Sequence, residues 1–344
     1  MIRFNNDYNM AAHPSVLKAI EETSEQSYPS YGTDDFCALA ADDIRKLTDS
    51  PDADVHFFVG ATQANFVVSA AALRPIQSVI CAETGHISRH ETGSVENTGH
   101  KLLQLPAADG KITAEQIERC ASEYYDGGEP EFLTEPKLVY ISFPTEYGTL
   151  YSLSELRAIR KVCDKYSMYL FVDGARLGYG LGSSRNDVTP KDLAGLTDVF
   201  YFGGTKCGAL FGEALVILNE NLKPRFKSYM KQNGAVLAKG WLLGLQFHTL
   251  LKTGAYFKIT KRADEQAMKI KEAFAAKGIP PFIESFTNQQ FIILTEEQAE
   301  KLAEKYIFEP DGTLPDGRRV VRFCTAWSTP DSAVDELIKD IAEL

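Results

Sequence analysis

A single lysine, Lys206, lies in a glycine-rich stretch between two short apolar runs, 199–202 and 214–218. Runs of this length and composition are typical of buried strands, and the glycines would let another group approach the backbone closely. A lysine kept in such a dry place loses its charge easily and becomes a nucleophile towards carbonyl groups. The alternative is a surface turn from which the side chain reaches water.

A carboxylate follows another candidate strand upstream. The apolar run 168–172 ends at Asp173, 33 positions before Lys206, which leaves room for one crossover helix and a return strand. Both groups would then stand at the carboxyl edge of a parallel sheet, where α/β proteins bind ligands. Pyridoxal 5′-phosphate uses such a pair, because a lysine takes up its aldehyde and an acid holds the proton on its ring nitrogen. The pair therefore predicts this cofactor.

A phosphate site is predicted where the candidate strand 55–59 gives way to Gly60, Ala61 and Thr62, ahead of an apolar helix over 66–73. Free N–H groups and the helix dipole at such a terminus attract anions, and Thr62 would add a hydroxyl. The alternative is an ordinary strand-to-helix turn that Thr62 caps.

Two histidines follow the candidate strand 78–81. His86 and His90 are four residues apart and could share a helix face, as metal ligands do. No third ligand has a convincing spacing, so we predict no metal site. His86 could instead lie flat on an aromatic cofactor, and for His90 a structural, hydrogen-bonded role is the alternative.

The order of elements predicts an α/β fold. Strands alternate with helices as far as Val216, which indicates a mainly parallel, doubly wound sheet. We predict a large domain over 1–245, with an extended arm over 1–12, and a smaller α+β domain over 246–344. Arg322 lies within an apolar strand candidate of the small domain. A buried arginine would bind a planar anion such as a carboxylate, whereas on an edge strand its guanidinium would reach solvent.

Composition argues against a nucleic-acid partner, a membrane span, a signal peptide and disulfides. The formal net charge of −11 argues against a nucleic-acid partner. No apolar run approaches a membrane span, and the first ten residues lack the apolar core of a signal peptide. The six cysteines are scattered without a C-x-x-C pair. They predict reduced thiols in a cytoplasmic protein without disulfides.

Together the motifs resemble one family. The chain contains G-A-T-Q-A-N (60–65), G-H…E-T-G (85–93), D-G-A-R (173–176), a lysine after glycines and a late V-R-F (321–323), in this order. This order is similar to that of the L-threonine aldolase / β-eliminating lyase family of pyridoxal-phosphate enzymes, which have the aspartate-aminotransferase-like fold. The resemblance runs nearly end to end. It implies cleavage of β-hydroxy-α-amino acids, such as threonine or allo-threonine, to glycine and an aldehyde.

The resemblance also implies how the cofactor is bound. Lys206 would carry it covalently, Asp173 would hold its pyridinium nitrogen, and His86 would stack on the ring; these three are the expected catalytic residues. Gly60, Ala61 and Thr62 would cradle the phosphate. The family further implies a homodimer or homotetramer with active sites at the subunit interface.

Five more residues are implied at the substrate. Arg176, which is also expected beside the cofactor, and Arg322 would hold the carboxylate, and Asn6 lies near the position where many relatives have a serine. Tyr31 would line the site by reaching across a dimer interface. Glu146 occupies the position where many relatives have a histidine proposed as the base.

Some alternatives remain open at this point. Either His86 or Glu146 could take the β-hydroxyl proton, and Lys231 is a candidate phosphate ligand because the glycine-rich stretch of relatives is replaced at 234–238. An aminotransferase or a β-eliminating lyase on the same scaffold is the second interpretation. A cofactor-binding protein without catalysis is another. A nicotinamide-dependent oxidoreductase is disfavoured, since no G-x-G-x-x-G follows an early strand.

Overall fold

The computed structural model describes residues 1–344. Its strands, in chain order, are β1 (Ile2–Arg3), β2 (Asp54–Phe58), β3 (Gln77–Ala82), β4 (Lys101–Leu105), β5 (Glu135–Ser142), β6 (Tyr169–Asp173), β7 (Val199–Gly203), β8 (Glu213–Ile217), β9 (Gln289–Leu294), β10 (Tyr306–Ile307), β11 (Glu309–Thr313) and β12 (Arg319–Cys324).

The α-helices are α1 (Pro14–Thr23), α2 (Asp35–Thr48), α3 (Ala61–Ala72), α4 (His86–Arg89), α5 (Ala114–Tyr125), α6 (Leu153–Lys165), α7 (Leu177–Gly182), α8 (Pro190–Leu196), α9 (Phe226–Gln232), α10 (Trp241–Lys252), α11 (Ala255–Ala276), α12 (Glu296–Ala303) and α13 (Asp331–Ala342). None of them is long and apolar enough to cross a bilayer.

A seven-stranded sheet forms the centre of the molecule, in the order β2-β8-β7-β6-β5-β3-β4. The five strands from β7 to β4 run parallel, and β8 is antiparallel to both of its neighbours. The predicted mainly parallel sheet is therefore confirmed. Because parallel strands end at one edge, the residues that follow β3, β5, β6 and β7 are brought together there.

Alternate residues of the central strands face two different cores. Val139 and Leu170 belong to one core, whereas Leu138 and Phe171 belong to the other. All four are fully buried, as expected for strands that are covered by helices on both faces. This explains why the strand sequences are apolar runs without alternation.

The C-terminal part contains a smaller antiparallel sheet in the order β11-β12-β9. Its core includes residues of α11, α12 and α13. The N-terminal arm lies against this part, because β1 pairs with β10 and Phe4 is fully buried in the same core. The first residues of the arm are thus held by the C-terminal part of the chain.

The division of the chain at residue 245 stays a prediction. Helix α10 runs across that position, and its Phe247 and Leu250 belong to a core of the central sheet. In the core of the small sheet, the first contribution from α11 is Ile270. On packing alone, we propose that the two units meet within α11.

Candidate active site

Four of the predicted residues follow the carboxyl ends of adjacent parallel strands. His86 comes after β3, Glu146 after β5, Asp173 ends β6, and Lys206 comes after β7. The charges of Glu146, Asp173 and Lys206 all influence the pKa of His86. The structure therefore brings these four groups together at one edge of the sheet.

The loop that carries Lys206 connects the antiparallel strands β7 and β8, and its first glycines pack closely against neighbouring backbone. A Cβ atom on Gly203 would overlap the carbonyl oxygen of Ala175, and one on Gly204 would lie 2.6 Å from the carbonyl oxygen of Gly212. The glycines therefore admit neighbouring backbone. The Tyr179 hydroxyl donates to the Lys206 carbonyl oxygen at 2.6 Å and so anchors the loop. The Lys206 ammonium lies 6.0 Å from the centroid of the Tyr8 ring.

A buried acid lies directly behind this loop. Glu213 accepts hydrogen bonds from the Gly204 amide at 3.0 Å and from the Thr205 hydroxyl at 2.8 Å. Burial raises the pKa of Glu213 to about 8, although Thr205, Lys206 and Gly204 oppose the rise. Both partners of the Glu213 carboxyl belong to the Lys206 loop, so the acid helps to hold the conformation of that loop.

Asp173 is buried and is surrounded by neutral donors. The Ala175 amide donates to its Oδ1 at 2.9 Å, the Asn65 amide donates to its Oδ2 at 3.2 Å, and the Tyr140 hydroxyl donates to the same Oδ2. No cationic side chain pairs with it. A buried carboxylate without a cation is costly, so the site has the chemistry to receive a positively charged group such as a protonated ring nitrogen.

His86 is held by another buried acid, Glu91. Its Nδ1 hydrogen-bonds to Glu91 Oε1 at 2.7 Å, and Ser94 donates to Glu91 Oε2 at 2.6 Å. Burial lowers the pKa of His86, but the Glu91 hydrogen bond and the nearby carboxylates of Glu146 and Asp173 outweigh it, and the pKa is raised overall. With Nδ1 engaged, Nε2 is the ring nitrogen left for the site.

The predicted phosphate turn is a helix N-terminus without a side-chain cap. Helix α3 begins at Ala61, five residues earlier than predicted, with Gly60 as its N-cap and no side-chain hydrogen bond to its first turn. The alternative interpretation, a cap by Thr62, is therefore wrong. The first N–H groups of a helix have no intrahelical partner, and no atom lies within 4 Å of a Cβ built on Gly60. An anion therefore has both free donors and space.

Arg176 is buried in a bidentate ion pair with the N-terminal arm. Its Nε and Nη2 donate to the two carboxylate oxygens of Asp7, at 2.7 and 3.0 Å. Burial raises the pKa of Asp7, but Arg176, Lys206 and Asn288 together bring it down to about 2. Nη1 lies 3.9 Å from Glu146 Oε2 and is the nitrogen that Asp7 leaves for a further ligand.

Arg322 lies on β12, the central strand of the small sheet, so the edge-strand interpretation is wrong. Its Nη2 donates to the Asn5 carbonyl oxygen at 3.0 Å, and its Nη1 is 3.4 Å from Gln289 Oε1. Nε is buried and has no partner. An unpaired buried donor is costly, and a carboxylate placed beside Arg322 would satisfy it.

The remaining predicted residues are placed differently. Asn6 accepts a hydrogen bond from the Tyr8 amide at 3.2 Å. In sequence it lies between Asn5, which binds Arg322, and Asp7, which binds Arg176. Tyr31 is 48% exposed, and its ring centroid is 5.0 Å from Lys231 Nζ. Tyr31 lines a separate cavity of about 320 Å³ to which Lys206 does not contribute. Within one chain, Tyr31 therefore does not join the other residues.

Sequence reasoning did not assign a role to four side chains of this region: Asp7, Asn65, Glu91 and Tyr140. Two of them carried a signal, because Asn65 closes the G-A-T-Q-A-N motif and Glu91 follows His86 by five residues. Asp7 and Tyr140 carried none. An acid in a polar arm and a tyrosine in an apolar strand are both ordinary compositions.

Comparisons with known proteins point to one family. The model of the beta-eliminating lyase family matches residues 15–304. Low specificity L-threonine aldolases from Pseudomonas sp. and Pseudomonas aeruginosa are 32% and 31% identical to this chain, covering 98% of it and 96% of each relative. A solved threonine aldolase from Leishmania major is 41% identical and superposes with a TM-score of 0.97, covering 100% of this chain and 99% of that one. An aspartate aminotransferase from Thermus thermophilus, 14% identical over 100% of this chain and 91% of its own, has a TM-score of 0.72 and shares the fold.

Proposed function

The chain belongs to the beta-eliminating lyase family, and from this premise we propose that it is a pyridoxal-phosphate-dependent aldehyde-lyase of the threonine aldolase type. It cleaves β-hydroxy-α-amino acids such as threonine and allo-threonine to glycine and an aldehyde. The observation that carries the proposal is the buried Asp173 carboxylate, which has three neutral donors and no cation, at the same strand edge as Lys206. Homology over the full chain with proteins named threonine aldolase supports the reaction.

The cofactor fits the residues of this edge. Lys206 would hold its aldehyde, Asp173 its ring nitrogen and His86 its ring face, and the open N-terminus of α3 at Gly60 and Ala61 would hold its phosphate. When bound, pyridoxal 5′-phosphate supplies an aldehyde that takes up the substrate amine and a protonated ring that stabilises negative charge at Cα.

The residues around this edge would orient the substrate and move its protons. Arg322, through its unpartnered Nε, and Arg176, through Nη1, would hold the substrate carboxylate, and a fixed carboxylate fixes the orientation of the Cα–Cβ bond. A base would then remove the β-hydroxyl proton as that bond breaks. Glu146 and His86 are the two candidate bases. The Glu91 carboxylate hydrogen-bonds to Nδ1 of His86, which would support proton uptake at Nε2.

We further propose that the chain acts as a homodimer or homotetramer with sites at the interface. Support comes from Tyr31, which is half exposed and lies outside its own chain's site, where a partner could meet it. Sedimentation at several protein concentrations tests the assembly. A cytoplasmic location belongs to the same proposal and is supported by six free cysteines.

The experiment that tests the proposal is Lys206→Ala. The wild-type protein, loaded with pyridoxal 5′-phosphate and dialysed, should show visible absorbance, and borohydride should fix the cofactor to the peptide that contains Lys206. The variant should lose that attachment together with glycine and acetaldehyde formation from threonine. Lys191→Ala, at an exposed surface lysine, is the matched control and should retain both. Keto-acid formation without aldehyde would instead indicate an aminotransferase.

A further inference from the structure

Asn65 lies between two of the buried acids of the site, Glu91 and Asp173. It is 1% exposed, and its Nδ2 donates to Glu91 Oε1 at 2.7 Å and to Asp173 Oδ2 at 3.2 Å. Glu91 in turn holds His86 at 2.7 Å. Two buried carboxylates repel each other, and a donor that hydrogen-bonds to both offsets part of that cost. The amide group of Asn65 provides that donor.

Tyr140, on the neighbouring strand β5, is a further hydrogen-bond donor to the Asp173 carboxylate. Its side chain is buried on β5, whose Ser142 pairs with Asp173 on β6, and its hydroxyl donates to Asp173 Oδ2. Burial and the charge of Asp173 raise the pKa of Tyr140 well above its ordinary value, so the hydroxyl keeps its proton and remains a donor at neutral pH.

The two oxygens of Asp173 are unequally occupied. Oδ2 accepts from both Asn65 and Tyr140, whereas Oδ1 accepts only from the Ala175 amide at 2.9 Å. A carboxylate oxygen can accept about two hydrogen bonds. The Tyr201 hydroxyl is also buried close to Asp173 and interacts with its carboxylate, but it forms no hydrogen bond of ordinary distance and angle. Oδ1 is therefore the atom with a free lone pair.

We propose that Tyr140 and Asn65 are positioning residues that saturate Asp173 Oδ2, present Oδ1 to the cofactor's ring nitrogen, and couple this acid to the Glu91–His86 pair. The inference rests on the proposed function, because the ring nitrogen is that of pyridoxal 5′-phosphate. Neither residue needs to touch the cofactor. Both act through Asp173, whose rotation they restrict.

The opposing explanation is that these hydrogen bonds only stabilise the fold, and a matched pair of variants separates the two. Tyr140→Phe removes a buried phenol that donates to Asp173. Tyr306→Phe removes a buried phenol from a different place in the chain. Tyr306 is 1% exposed, and its hydroxyl donates to Asp340 Oδ2 at 2.6 Å in the C-terminal part. Each variant loses one hydrogen bond to a carboxylate, so both should lower the urea midpoint. The loss should be at least as large in Tyr140→Phe, because Asp340 is partly exposed and keeps its pair with Lys305.

Cofactor binding should distinguish them. Titration of the apo-protein with pyridoxal 5′-phosphate should give a Kd raised about tenfold in Tyr140→Phe and unchanged in Tyr306→Phe. The kcat for threonine should fall in Tyr140→Phe while its KM stays close to that of the wild type, because Arg176 and Arg322 are untouched. Asn65→Ala provides the same test independently of Tyr140 and should also raise the Kd about tenfold.

Three outcomes would overturn the inference in recognisable ways. If wild-type protein fails to bind pyridoxal 5′-phosphate, the proposed function fails and the inference falls with it. If the wild type binds but Tyr140→Phe and Asn65→Ala bind equally well, only the inference is wrong. If Tyr306→Phe weakens cofactor binding as much as Tyr140→Phe, the effect is general destabilisation.

Discussion

Replacing Asp7 by Asn would remove the negative charge from the most buried ion pair of the site. Asp7 and Arg176 are 1% and 7% exposed, and two hydrogen bonds of 2.7 and 3.0 Å join them. Asparagine keeps the shape of the side chain and one acceptor oxygen. The variant therefore tests the charge and the second hydrogen bond rather than the packing.

Two arguments set the expected loss of stability. The pKa of Asp7 is lowered from 3.8 to about 2, and since one pKa unit is worth about 1.4 kcal/mol, the charged form contributes about 2 kcal/mol to the free energy of unfolding. Breaking a buried ion pair by removing one partner costs about 3–5 kcal/mol. We expect Asp7→Asn to fall between these, at about 2–5 kcal/mol, because the arginine stays buried while one acceptor remains.

Urea unfolding at a single protein concentration measures this loss. The matched control is Asp49→Asn, which breaks an exposed pair of 2.6 Å with Lys191, whose side chains are 66% and 70% exposed. Exposed pairs contribute little to stability, because solvent screens them. Asp49 has a positive φ of 51°, a conformation that asparagine tolerates. If Asp7→Asn costs no more than Asp49→Asn, the reasoning from burial is refuted.

The pH dependence gives a second check on Asp7. Because its folded-state pKa is lowered, its stabilisation is present above the ordinary pKa of 3.8 and is lost as the pH falls through about 2. The difference in stability between wild type and Asp7→Asn should therefore be full near neutrality and should shrink between about pH 4 and about pH 2. A difference that stays constant over this window would show that the Asp7 charge is not responsible.

Three further predictions follow from the same geometry. Arg322→Lys keeps the charge but loses the Nε donor, so the KM for threonine should rise at least about tenfold with little change in thermal midpoint; an unchanged KM would remove Arg322 from the substrate site. Glu91→Gln removes the acid that raises the pKa of His86, so the His86 titration followed by NMR should move to lower pH, and a midpoint at its wild-type position would contradict that coupling. Gly203→Ala forces a Cβ into neighbouring backbone and should destabilise the fold by several kcal/mol, about 3 or more. Gly195→Ala, where a Cβ meets nothing within 4 Å inside a helix, is its control, and equal stability of the two variants would refute the steric argument.

The sheet and the position of the site followed from local sequence. The runs before Asp173 and Lys206 predicted buried strands, and the structure has β6 and β7 there. Parallel strands end at one edge for topological reasons, so chemistry-bearing residues just after each strand could be assigned to one place without knowing any distance. His86 also follows a candidate strand, whereas Glu146 was expected at the site only from the resemblance to the family.

Other features could not be read from local sequence. Helix α3 starts at Ala61, whereas the apolar run begins only at Phe66. The first turn of a helix need not be apolar, so hydrophobic pattern alone did not show where this helix begins. The central position of Arg322 depends on the strand order β11-β12-β9, which is a matter of tertiary pairing. Apolar pattern alone does not distinguish a central from an edge strand in so short a sheet.

Sequence by itself indicated which groups to expect at the site, a lysine, an acid, a histidine and two arginines, and that the lysine, the acid and the histidine follow strands at one edge of the central sheet. Only the tertiary structure decided their partners: Asp7 on Arg176, Glu91 on His86, and a tyrosine and an asparagine on one oxygen of the buried aspartate. The physical reason is range. Strand formation depends on neighbours along the chain, whereas hydrogen bonds and ion pairs require positions within about 3 Å between segments far apart in sequence.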